Sequence, residues 1–168
     1  LDGGSGVICG LDAEGRVHCF GSSVGFGAPP PEGGFVAVTV GAAHACARRA
    51  AGQVVCWGLI APPPHHALAL MEAGNYVLFG VGADGRLDTF WQTGAGVDEP
   101  DGDDDDDFVA LERLDGNGQR ACALRADGRV ACFGAQGTWR PPFVSYQLFT
   151  RLAGSAFHSC GVTVEGRV

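Results

Sequence analysis

Seven cysteines stand in this 168-residue chain, at positions 9, 19, 46, 56, 122, 132 and 160. Six form pairs ten positions apart: Cys9 with Cys19, Cys46 with Cys56, and Cys122 with Cys132. Two chemistries compete for such pairs. A zinc centre wants CxxC or a comparably close spacing. Ten positions across a chain reversal suit a disulfide better, since the two Cα atoms then come within bridging range. Disulfides are therefore expected, and with them an oxidising compartment. Cys160 has no partner in the sequence, which stops two residues before one falls due. Truncation is the favoured explanation; an intermolecular bridge or a reactive thiol are the alternatives.

The acidic residues are the second candidate. Residues 98–107 hold eight acids and no base, and the remaining chain has eleven of each. The net charge of −8 thus resides in one loop. Clustered carboxylates could bind calcium, but the spaced D-x-D-x-D-G register and a distal Glu are missing. A solvated insertion is favoured, with Asp103, Asp104, Asp105, Asp106 and Asp107 open to a basic partner. A neutral body with no basic patch argues against nucleic-acid binding. Trp91 and Trp139 are the better aromatic candidates for a partner contact, beside the ordinary role of packing. His44 and His158 share one position relative to a cysteine and read as structural, while His65 and His66 sit in a proline loop. No catalytic, metal or cofactor-binding residue is assigned, and no cofactor is expected. No N-x-[ST] acceptor occurs, and the proline runs at 29–31 and 62–64 read as stiff loops.

The elements that place the cysteines are hairpins. Residues 122–134 read CALRADGRVACFG, with Asp127-Gly128 as the turn signal. Folding back about a three-residue loop sets Arg125 against Arg129, Leu124 against Val130, Ala123 against Ala131 and Cys122 against Cys132. Alternation makes the cysteine rung a non-hydrogen-bonded pair, where strands approach most closely. It also puts Leu124, Val130 and both cysteines on one face. Similar units start at Cys9, Cys46, Phe79 and Cys160. The unit at Phe79 has Phe79 and Thr89 in the two cysteine positions, so both are lost together, as paired residues would be. Starts at 9, 46, 79, 122 and 160 recur at the period of solenoids and propellers. On the shared face, Leu11/Val17, Arg48/Val54, Val81/Leu87, Leu124/Val130 and Val162/Val168 are apolar except for Arg48, which is expected to snorkel or to mark a shifted turn.

Between hairpins the pattern is strand, glycine turn, hairpin, aromatic-Gly, proline-containing loop. Residues 35–40 (FVAVTV) are a strong strand, and 67–71 (ALALM), rich in helix formers, are assigned to a strand by their place in the repeat. Residues 108–114 and 146–152 complete the series. Phe20, Trp57, Phe90 and Phe133 share the aromatic position and are expected to pack between neighbouring units. With 28 glycines and 46% hydrophobic residues, the chain suits an all-β domain with its own core. No run of 18 apolar residues is present, so no transmembrane helix is expected. The chain opens mid-pattern, as a mature or trimmed piece would.

The unit G-x-x-H-x-C-x-L-x-x-[DE]-G-x-V-x-C-[FW]-G resembles the RCC1-like repeat. Gly41, His44, Cys46, Gly52, Val54, Cys56, Trp57 and Gly58 carry it, as do Cys122, Leu124, Asp127, Gly128, Val130, Cys132, Phe133 and Gly134. Cys9, Leu11, Gly15, Val17, Cys19, Phe20 and Gly21 form a further set, and Gly154, His158, Cys160 and Gly166 the last. The paired cysteines are most similar to the variety in crinkly-type ectodomains of plant receptor-like kinases. The resemblance implies an all-β propeller of about seven four-stranded blades, of which this chain holds about four and a half. Repeat units are expected near 1–34, 35–66, 67–107, 108–148 and 149–168, with missing sequence or another chain completing the ring. It also implies a non-enzymatic, extracellular or cell-surface module that binds protein or serves as scaffold, without inserting in a membrane. The rivals are an intracellular RCC1-like exchange-factor or regulatory propeller and a lyase-type propeller enzyme.

Overall fold

The run FVAVTV holds one aromatic and four β-branched side chains in six residues, which fit a pleated, half-buried surface better than a helix. It forms a strand, and the same motif of three short antiparallel strands is repeated along the chain. The computed structural model describes residues 1–4, 6–21, 32–59, 67–74, 77–85, 87–91, 108–113, 120–134, 147–154 and 159–168. The first sheet is β1 (Asp2–Gly4), β2 (Val7–Leu11) and β3 (Val17–Gly21). The second is β4 (Phe35–Val40), β5 (His44–Arg49) and β6 (Val54–Gly58), and the third β7 (Leu68–Ala73), β8 (Val77–Gly82) and β9 (Leu87–Trp91). The fourth is β10 (Phe108–Arg113), β11 (Arg120–Arg125) and β12 (Val130–Gly134); β13 (Phe149–Gly154) and β14 (Ser159–Thr163) make the last. No helix occurs among the described residues.

The hairpin register is that of the cysteine rungs. Cys9 lies opposite Cys19, Cys46 opposite Cys56, and Cys122 opposite Cys132. Arg48 lies opposite Val54, so the turn of that hairpin is not shifted. Its turn glycine, Gly52, has φ 87°, and Gly128 has φ 86°, a left-handed conformation in which a Cβ would be strained. The Gly128 N–H donates to Arg125 O at 2.9 Å and the Arg125 N–H to Arg129 O at 2.8 Å, which closes the loop.

One expectation rested on the repeat alone, and one feature was not visible as a pattern. Leu68–Ala73 is a strand although Ala, Leu and Met favour helix, because Leu68 and Ala73 are buried with Met71 against Leu78 and Cys46, while Leu70 packs at the next seam. The first strand of each later sheet also carries a register shift at its second residue, passing over Val36, Ala69, Val109 and Thr150. These bulges turn the extra residue outward, and Val36 and Val109 are more than half exposed. The last strand pair starts at Phe149, later than the sequence pattern suggested.

The sheets stack face against face, and their first strands adjoin. β4 packs on β1 and β2, β7 on β4 and β5, β10 on β7, and β13 on β10 and β11. This is the radial stacking of propeller blades. The core consequently lies between sheets. Val7, Cys9 and Val17 meet Phe35, Val40, Ala45 and Ala47 at the first seam. Cys46 meets Leu68, Ala73 and Leu78 at the second.

Candidate functional site

Each seam is built from the two faces of a hairpin. On β5, Cys46 faces the third sheet while Ala45 and Ala47 face the first, as alternation requires. Trp57 and Val55 cover the cluster of Val7, Cys9 and Val17, and Phe90 covers that of Cys46 and Leu68, with Val54 and Cys56 alongside. Phe149 and Leu152 cover Cys122, Leu124 and Val130. The cysteines are bonded as Cys9–Cys19, Cys46–Cys56 and Cys122–Cys132, with Cα atoms 4.1, 4.0 and 4.0 Å apart. Cys9 and Cys46 are fully buried by the blade that follows them. Cys160 is a free, exposed thiol.

A second set of contacts crosses the seams near the first strands. Asp2 Oδ2 accepts from the Val40 N–H at 2.7 Å and from the Thr39 hydroxyl at 2.9 Å. Thr39 Oγ1 in turn accepts from the Ala73 N–H at 2.8 Å, and Glu72 Oε2 lies 3.5 Å from it. Asp2 of the first sheet and Thr39 of the second thus each latch the next sheet's backbone. The sequence offered a signal for this latch that hydrophobic patterning passes over. Asp2, Thr39, Glu72 and Glu112 are the residues opposite Cys9, Cys46, Phe79 and Cys122, so a polar type recurs within an otherwise apolar strand. Only the register reveals it.

The first hairpin carries an exposed polar cluster. Asp12 accepts from the N–H groups of Glu14 and Arg16 at 3.1 and 2.8 Å and from Arg16 Nε at 2.8 Å, with His18 Nε2 at 2.9 Å. The His18 contact, then the Arg16 amide, hold the Asp12 carboxyl well below its ordinary value. This braces a turn. Among the described residues no group of three or more His, Cys, Asp or Glu is placed to hold a metal ion.

Phe20 departs from its expected place. It lies opposite Ile8 on the outer face of the first sheet and is 71% exposed, rather than packed between units. Trp57 and Phe90 do occupy seams, because a sheet precedes theirs. His44 is fully buried. Trp91 ends β9, with its side chain outside the described residues, as is that of Phe133. Trp139, Asp103, Asp104, Asp105, Asp106, Asp107 and His158 lie outside them altogether.

No protein-family model and no curated protein matches the chain. Solved structures do. The entire ectodomain of the receptor kinase CR4 from Physcomitrella patens aligns with TM-score 0.73 and 25% identity, over 96% of this chain and 47% of its own. The crinkly WD40 ectodomain of the Arabidopsis thaliana receptor kinase ACR4 gives TM-score 0.73 and 22% identity, over 96% and 58%. Prp20p of Saccharomyces cerevisiae, the yeast RCC1, gives TM-score 0.67 and 14% identity, over 96% and 54%. The fold is that of an RCC1-like β-propeller. This propeller chain spans about half the length of the solved chains it matches. Its cystine-braced blades stand in a fold shared by receptor ectodomains and by a protein studied for binding Gsp1p and histones.

Proposed function

We propose that this RCC1-like propeller is a non-enzymatic protein-binding or structural module of the cell surface or extracellular space, as part of a receptor ectodomain or a surface assembly. The observation that carries the proposal is the set of three cross-strand cystines at blade seams. Buried cystines in a domain large enough to have its own core point to an oxidising compartment. Similarity to two plant receptor ectodomains supports the same reading. The partners are proteins, either other subunits or a ligand. We assign partner contacts to Trp91, Trp139 and the acidic residues Asp103 to Asp107, which suit a basic surface. The test is a thiol count on protein isolated from its native source under alkylating conditions. The six cysteines of the three bridges are expected to escape alkylation, whatever the state of Cys160. Seven free thiols would overturn the reading and favour an intracellular regulatory propeller like Prp20p.

A further inference from the structure

Three hairpin tips neutralise their own arginine. Arg16 pairs with Asp12 and Glu14 at 2.8 and 3.2 Å, Arg129 with Asp127 at 3.5 Å, and Arg167 with Glu165 at 3.4 Å. The second hairpin departs from them. Gln53 stands where those arginines stand, and Ala51 where Glu14, Asp127 and Glu165 stand. Its charge lies on β5 instead, at Arg48 and Arg49, and no acid occurs between His44 and Gly58. Arg49 is already engaged: its guanidinium donates to Gly33 O at 2.7 Å, pairs with Glu32 at 3.1 Å and lies 4.6 Å from the Phe35 ring centre. Arg48 occupies the position held by Leu11, Val81, Leu124 and Val162 in the other units. It lies opposite Val54, on the strand face of Cys46. Its Nε is buried with no acceptor among the described residues, and Nη1 reaches only the Arg49 carbonyl, at 3.5 Å. A buried donor left unpaired is costly, and an aliphatic side chain serves the packing in every other unit. An arginine here therefore calls for an acceptor from outside.

We propose that Arg48 is a docking contact for a carboxylate side chain on an acidic segment of a partner protein, received between the second hairpin tip and the start of the third sheet. The sheets on both sides of Arg48 belong to this chain, so the site does not depend on what completes the ring. The Nε and Nη edge of a guanidinium is a two-donor fork that a planar carboxylate matches. A tetrahedral phosphate or sulfate is bulkier and fits less well against an Nε that lies below the surface. Ala50 and Ala51 at the tip are small, uncharged and exposed, which leaves room for an approaching chain. The Gly52 carbonyl accepts from the Leu68 N–H at 2.9 Å and fixes the tip against the third sheet, so the contact is held ready. The inference rests on the protein-binding reading and adds the partner's chemistry at one position.

The experiment follows the arginine Nε–H signals of the full chain by proton–nitrogen NMR while an acetylated, amidated Glu-Ala-Glu-Ala-Glu peptide is added. The Arg48 signal is expected to move, those of Arg16 and Arg129 to stay, and the Gln-Ala-Gln-Ala-Gln counterpart to have no effect. Arg48→Gln should weaken the peptide about tenfold, the loss of one charge-assisted pair. Arg48→Lys should not restore it, because a point charge lacks the Nε edge. Arg48→Leu should also lose the peptide yet raise the denaturant midpoint, since it completes the apolar face. A stationary Arg48 signal, equal movement at Arg16 and Arg129, an equal response to inorganic sulfate, or a midpoint lowered by Arg48→Leu overturns the proposal. A silent titration with the three bridges intact removes this contact and leaves the protein-binding reading in place. Free thiols in the native protein would defeat the extracellular reading and leave the titration unchanged.

Discussion

In the second sheet Cys46 faces Cys56 across β5 and β6; in the third, Phe79 faces Thr89 across β8 and β9. The two rungs occupy the same register, and Cys46 and Phe79 are 0% and 1% exposed. Cys46 packs on Leu68 and Leu78 of the following sheet's strands, and Phe79 lies in a cluster with Ala123 of the following sheet. The position therefore demands buried volume directed at the next blade, and sulfur is one way to provide it. The two solutions act on different states. A cystine restricts the unfolded chain, whereas a phenylalanine gains by leaving water in the folded one. β8 is buried at every residue, as a strand relying on packing alone should be.

The comparison is most exposed to Phe79→Ala. Loss of a buried aromatic ring costs about 3–5 kcal/mol, read by denaturant unfolding, and a loss below about 1 kcal/mol would show that the third sheet does not depend on that ring. Replacing Cys46 and Cys56 together by alanine should cost about 3 kcal/mol, the loop-closure contribution of a bridge this short. Reductant opens all three bridges in the parent and two in the double variant, so it should cost the double variant less by about the contribution of that one bridge. Equal sensitivity of the double variant and the parent would break the distinction between the two sheets.

Smaller effects sharpen how the two sheets are joined. Thr39→Val keeps the shape of a side chain that is 2% exposed but removes the acceptor of the Ala73 N–H. An orphaned buried donor costs about 1–3 kcal/mol, and hydrogen exchange at Ala73 should quicken in the third sheet while the second stays protected. The smallest effect concerns the first hairpin. Asp12 titrates below its ordinary value of 3.8 when folded. A lowered carboxyl contributes stability that is present above the unfolded value and lost as pH falls toward the folded one. Exchange in β2 and β3 should therefore quicken below about pH 4, and Asp12→Asn should remove that acid dependence.

Hairpins and their rungs were legible in advance because their cause is local. An Asp-Gly turn, alternation and ten-residue spacing decide which residues face each other at Cys122 and Cys132 whatever lies around them. The strand at Leu68–Ala73 was legible only through the repeat, since its own composition points to helix. Phe20 was misplaced because burial of the aromatic position depends on a neighbouring sheet, and the first sheet has none on that side among the described residues. The latch through Asp2 and Thr39 escaped for a related reason. Its partners are backbone groups of the next blade, more than thirty residues away in sequence.

One recurring bond bears on how such a chain can vary. The carbonyl of Gly15 accepts from the Phe35 N–H at 3.0 Å, that of Gly52 from Leu68 at 2.9 Å, and that of Gly128 from Phe149 at 2.8 Å. Each of these three hairpin tips is thus a socket that sets where the following strand begins. The span of sequence between tip and strand is not what sets the register, since it differs between Gly15 to Phe35 and Gly52 to Leu68. Insertions between such a tip and its strand can lengthen the chain without shifting a rung downstream.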